Sequence, residues 1–130
     1  MWHLLTDNPQ AVSRLYTKVP PLEYVSLIGI SLHNDGPVAK IEFDLPNFPD
    51  IPPDRWKKSG FNTAQLHLEL FVITKFSLEG WSNQLVVDVD IRRTGEGLIS
   101  VTSQGANFNL NTQCQVIHIA HMIGYQNEKT

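Results

Sequence analysis

His67 and Glu69 stand two apart in Gln65-Leu66-His67-Leu68-Glu69, and Asp88 and Asp90 stand two apart in Val87-Asp88-Val89-Asp90. In an extended chain, residues two apart share a face, and neighbouring strands lie about 4.8 Å apart. If the two segments pair as hairpin neighbours, an imidazole and three carboxylates converge, which is a donor set for a divalent metal or an acid–base pair. The chain would then be a small-ligand-binding protein or a metal-dependent enzyme working from the His67/Glu69/Asp88/Asp90 face. The plainer reading is the solvated face of a sheet, because any half-buried strand shows alternate polar residues. A metal site also needs several ligands held by supporting hydrogen bonds. The plainer reading is the better one, and it assigns no catalytic residue, no metal and no cofactor.

The other reactive residues admit equally simple accounts. His118 and His121 are three apart, a spacing that brings ligands together on a helix, but Val116, Ile117 and Ile119 favour a strand, on which the two rings point to opposite faces. His33 and Asp35 fall in His33-Asn34-Asp35-Gly36, whose residue types are those of a tight turn. Cys114 has no basic neighbour in sequence to lower its pKa and reads as a buried, inert thiol. The chain has no glycine-rich phosphate loop, no G-x-S-x-G elbow and no H-E-x-x-H. Phe48, Trp56 and Trp81 could anchor a binding surface, although most tryptophans of a small domain belong to its core.

The elements that must position these residues are strands. The longest alternating run is Gly60–Trp81, with Leu66, Leu68, Leu70 and Val72 on one face and Gln65, His67 and Glu69 on the other. After Glu69 the polar face turns apolar at Phe71 and Ile73, so the strand is either covered on both sides there or bends. Tyr24–His33 and Lys40–Leu45 flank the turn residues Asn34-Asp35-Gly36, and in the second run Lys40, Glu42 and Asp44 on a wet face alternate with Ile41, Phe43 and Leu45. Leu85–Arg93, with Val87, Val89 and Ile91 inward, is followed by a turn at Gly95-Glu96-Gly97, then by strands Leu98–Ser103 and Phe108 to about Ala120. Asn8-Pro9 is a helix-start signal, Asn8 capping and Pro9 opening one short helix that Pro20-Pro21 ends. Four prolines lie between Pro46 and Ser59, and they predict an ordered irregular loop tacked down by Phe48, Ile51 and Trp56. The expected architecture is mainly β (α+β): a curved antiparallel meander sheet or partly closed sandwich of about six strands with one short N-terminal helix.

At 130 residues the chain fits one domain, 1–130. A single cysteine excludes an intrachain disulfide and suits a reducing compartment. The N-terminus lacks the basic and long apolar regions of a signal peptide, and no run approaches the ~20 apolar residues of a membrane helix. A cytoplasmic location follows. A net charge of −3 offers no footprint for nucleic acid and weakly favours a basic protein partner.

Pro20-Pro21-Leu22, Ser31-Leu32-His33 with Gly36-Pro37, Pro52-Pro53 then Trp56, Gly60-Phe61-Asn62 and Leu78-Glu79-Gly80-Trp81 together resemble the immunity protein 50 family of bacterial polymorphic toxin systems. The likeness runs from Trp2 to the final strand. It implies a cytosolic protein, a monomer or weak homodimer, that binds its cognate toxin domain and blocks it in the producing cell. It brings no catalytic motif, no nucleic acid and no membrane. Within it, Trp56, Gly60 and Asn62 read as a fold signature: Trp pins the loop, Gly permits a bend and Asn caps a strand entry. Glu42, Asp44, His67, Glu69, Asp88 and Asp90 form the expected partner-binding set, and if the toxin is a basic nuclease the carboxylates among them meet its basic surface.

Overall fold

A computed structural model describes residues 1–128, built around eight antiparallel strands. They are β1 (Val25–His33), β2 (Val38–Asp44), β3 (Thr63–Phe71), β4 (Lys75–Glu79), β5 (Val86–Arg93), β6 (Ile99–Gly105), β7 (Phe108–Cys114) and β8 (Val116–Tyr125). A 3-10 turn at Trp2–Leu5 and two short helices, α1 (Gln10–Ser13) and α2 (Asp54–Lys58), complete the chain.

The strands form one unclosed sheet in the order β4-β7-β6-β5-β1-β2-β3-β8. This is not a meander. The expected six strands become eight because two of them bend. The long run divides at Val72, whose φ of 57° is the left-handed region that a β-branched residue adopts only under constraint, and Val72 is exposed rather than facing inward. The final run divides at Gln115, directly opposite. Phe71 pairs with Val116 and Lys75 with Gln113, while the Gln115 N–H donates to the Phe71 carbonyl and the Thr74 N–H to the Gln113 carbonyl. The two long strands therefore bend together as one ribbon, with β3:β8 as one arm and β4:β7 as the other. The ribbon carries the chain from one end of the sheet to the other.

The inward residues follow from period-two alternation. Ile41 and Phe43 of β2, Leu66, Leu68 and Leu70 of β3, Val87 of β5, Val101 of β6, Leu110 of β7 and Ile117 of β8 are all buried in one cluster. The N-terminal segment lies against it through Trp2, Val12, Leu15 and Tyr16.

The helices differ from expectation. α1 spans only four residues, and Asn8 does not cap it with its side chain. Instead the Asn8 amide donates to the Ile119 carbonyl and accepts from the Ile119 N–H, 2.9 Å each. A single amide thus bonds the outer edge of β8 at Ile119 as a residue of a neighbouring strand would. The proline-rich loop contains a helix after all, because Pro53 takes the capping position and only Asp54 onward is helical, so no ring stands inside it. Gly60, at φ 69°, then ends α2. Trp56 is 3% exposed and packs on Phe48 with ring centroids 6.0 Å apart, whereas Ile51 stays exposed.

Candidate partner-binding face

The outward row of each strand is set by register. Glu42 of β2 pairs with His67 of β3, Lys40 with Glu69 and Asp44 with Gln65. Across β3, His67 pairs with His121 of β8 and Glu69 with His118. Paired residues face the same side of a sheet, so all of these side chains occupy the face opposite the core. That both histidines of β8 lie there corrects the expectation of opposite faces. The register shifts between His67/His121 and Leu68/Ile119, so Ala120 is an extra residue on β8, and a bulge of this kind resets the alternation. No pattern in Ile117–Met122 announces that bulge.

A chain of hydrogen bonds orders the centre of the face. Asp44 is buried, and one carboxylate oxygen accepts from the Gln65 amide at 2.9 Å while the other accepts from the Tyr125 hydroxyl. Because the amide nitrogen of Gln65 points to Asp44, its oxygen points to His67, whose Nε2 lies 2.6 Å away. Only a protonated Nε2 can make that bond, so the network fixes the His67 tautomer. The same Nε2 lies 3.4 Å from Glu42 Oε2. Glu42 in turn folds over Gly29 of β1: a Cβ there would stand 2.8 Å from Glu42 Oε1. The rings of His67 and His121 meet edge-on, with centroids 5.9 Å apart. At the rim, Lys40 and Glu69 stand 3.9 Å apart, and His118 Nδ1 and Asp7 Oδ1 stand 2.7 Å apart. A shallow depression of about 230 Å³ lies among Ser31, Lys40, Glu42, His67, Glu69 and His121.

Asp88 and Asp90 do not join this cluster. β5 is separated from β3 by β1 and β2, so the expected hairpin partnership is wrong. The error arises where the chain leaves β3 for the far end of the sheet as β4, so that Gly80–Leu85 leads to β5 from a strand it does not pair with. Asp88 accepts the Tyr24 N–H at 3.0 Å, and Asp90 forms an ion pair with Arg92 at 2.6 Å. Among the described residues, no group of three or more His, Cys, Asp or Glu side chains is arranged to hold a metal ion. Cys114 is fully buried, and burial pushes its thiol up to about 11.

Sequence reasoning placed Glu42, His67 and Glu69 correctly on the outward face and missed their continuation into His118 and His121. The other aromatic candidates separate by burial: Trp56 belongs to the core, and Trp81 is 54% exposed.

Asn62, third member of the Trp56, Gly60, Asn62 signature, accepts the Asn127 N–H at 2.8 Å and donates to the Asn127 carbonyl at 2.9 Å, extending the β3:β8 ladder past its last pair. The indole of Trp56 lies over Gly124. The signature therefore clamps β8 onto β3, the pairing that builds the face. No curated protein and no solved structure matches the chain. The model of the family described as immunity protein 50 does match, over residues 8–125, a span that runs from the Asn8 clamp through the face to the Tyr125 hydroxyl. By that match the chain belongs to the immunity protein 50 family.

Proposed function

We propose that this protein binds and neutralises a cognate polymorphic toxin domain in the cytoplasm of the producing bacterial cell, and that the β2-β3-β8 face makes the contact. Family membership over nearly the whole chain carries the reading. The face supports it physically. Its groups are held in place before any partner arrives, by the Tyr125–Asp44–Gln65–His67 chain and by the packing of Glu42 on Gly29. Preorganised side chains lose less entropy on binding. Glu42 and Glu69 give the face carboxylates that a basic toxin surface would meet, while Asp44 acts from beneath as a support. The act proposed is occupation of a surface, which uses no reactive centre.

Co-expression tests this directly. The toxin domain encoded beside this chain should arrest growth alone and should be silenced by the chain, and the two purified proteins should form a complex by calorimetry. Continued arrest, or no heat of binding, would remove the reading.

A further inference from the structure

β8 is an end strand of the sheet, so one side of its backbone has no neighbouring strand. The N-terminal segment covers the first half of that side. Thr6 forms a parallel bridge with Ile117, the Asp7 N–H donates to the Ile117 carbonyl, and the Asn8 amide bonds Ile119 twice. Pro9 then takes the capping position of α1, and the chain turns away. Among the described residues, Ala120–Gly124 has β3 alone as a backbone partner. Alternate residues of a strand direct their N–H and C=O groups to opposite sides, so this half of the edge keeps unpaired donors and acceptors. The bulge at Ala120 disturbs only its start: from His121 to Tyr125 the register against β3 runs without a shift. The stretch carries no Lys, Arg, Asp, Glu or Pro, the residues that blunt an open edge.

Two cavities follow the open half. One, of about 500 Å³, lies between α1, the proline-rich loop, α2 and Ile119–Met122, and the other, of about 380 Å³, lies between α2 and His121–Gly124. Arg14 lines the first, Arg55 lines both, and no Asp or Glu lines either. Both arginines are exposed, and among the described residues neither stands within ion-pair distance of a carboxylate. In a chain of net charge −3 this groove is a local excess of positive charge.

We infer that an extended acidic segment of the toxin domain adds to the open edge of β8 as one further strand, its backbone meeting Ala120–Gly124 and its carboxylates meeting Arg14 and Arg55. This contact rests on the toxin binding proposed above. It borders the face assigned there, because Ala120 and His121 line both the larger cavity and the depression that holds Glu42, His67 and Glu69. Main-chain bonds to a sheet edge supply affinity for any extended chain. The two guanidiniums select an acidic one, since each can hold a carboxylate through paired N–H donors. The Asn8 amide already occupies the edge in this manner at Ile119, so the added segment continues a pairing that the protein begins itself. The toxin is then held by charges of both signs, its basic surface on Glu42 and Glu69 and its acidic segment on Arg14 and Arg55.

Two measurements on the intact chain, with the toxin domain encoded beside it, test the strand addition. Amide exchange read residue by residue should show protection gained within Ala120–Gly124 when the complex forms. Calorimetry should show Arg14→Gln/Arg55→Gln binding on the order of 10-fold or more weaker than wild type at low salt, with the difference shrinking as salt rises. Both changes alter exposed side chains, and circular dichroism confirms that the variant folds. No added protection at Ala120–Gly124, or an unchanged affinity in the double variant, overturns the strand addition while the proposed function stands on the wild-type complex. Protection that appears in the free protein as its concentration rises assigns the edge to a second copy and overturns it too. A wild-type chain that forms no complex at all removes both readings.

Discussion

The side-chain amide of Asn8 faces the backbone of Ile119 as a strand residue would, giving and receiving one hydrogen bond. A helix cap would need only the acceptor oxygen, for which Asp serves as well as Asn. Here the donor matters equally. Asn8→Asp should therefore destabilise the protein at least as much as Asn8→Ala, about 1–2 kcal/mol for two lost bonds. Urea unfolding reads the difference, and an Asp variant as stable as the wild type would restore the capping role.

Gly124 lies beneath Trp56 so closely that a Cβ would come within 2.5 Å of the indole Cδ2 and 2.9 Å of Phe61 Cδ2. Replacing a strand glycine with alanine ordinarily stabilises by roughly 0.5–1 kcal/mol. At this position the sign reverses: Gly124→Ala should cost about 1–3 kcal/mol through overpacking. The loss should shrink in a Trp56→Leu background, because the two changes share one contact. Equal losses in both backgrounds would show that the ring is not the obstacle.

The legibility of this chain in its sequence follows the same line between local and non-local causes. Period-two alternation identified Ile41, Phe43, Leu66, Leu68 and Leu70 as inward residues and Glu42, His67 and Glu69 as outward ones, since side-chain direction in a strand is a local property. The bend was also visible, as the loss of alternation at Phe71 and Ile73. What that bend does to strand order was not, because the ribbon bends only when its mate yields at Gln115, 43 residues after Val72 in the numbering. Asp88 and Asp90 were misplaced by the same event. The bulge at Ala120 depends on the register against β3, and Ile117–Met122 alone offers no sign of it.

The Tyr125 hydroxyl gives a pH signature. Burial, then the hydrogen bond to Asp44 and its charge, push the phenol up from 10.0 to about 12. Below pH 10 the phenol is neutral in both folded and unfolded chains, and its contribution to stability is fully present. As pH rises from 10.0 toward about 12 the unfolded chain ionises first, and the contribution is lost. The stability difference between wild type and Tyr125→Phe should thus be constant up to pH 10 and shrink above it. Taking the difference cancels the parallel effect of Tyr16, which burial also raises. Urea midpoints measured across that range check it, and a difference that grows with pH would contradict the bond.

Cys114 predicts a clean chemical contrast. Its thiol is buried and pushed up to about 11, chiefly by burial, so at neutral pH it is both protonated and out of reach. Ellman's reagent should leave the folded protein unlabelled and should titrate one thiol per chain in denaturant. Fast labelling of the native protein would mean that the β7 end of the bent ribbon opens readily, since Cys114 immediately precedes the bend at Gln115.

The two acidic groups on opposite sides of β1 make separate predictions for toxin binding. Glu42 and Glu69 stand on the preorganised face, whereas Asp88 is occupied by the Tyr24 N–H and Asp90 by Arg92, two strands away. Charges that steer an encounter act mainly on the association rate and are screened by salt, over about 8–10 Å at physiological ionic strength. Glu42→Lys with Glu69→Lys should slow association with a basic toxin domain by on the order of 10-fold or more at low salt, and by less as salt rises. Asp88→Asn with Asp90→Asn should leave the association rate nearly unchanged. Stopped-flow association at several salt concentrations separates the two pairs. The opposite ranking, with the β5 pair dominant, would move the contact from the β2-β3-β8 face to the seam between β1 and β5.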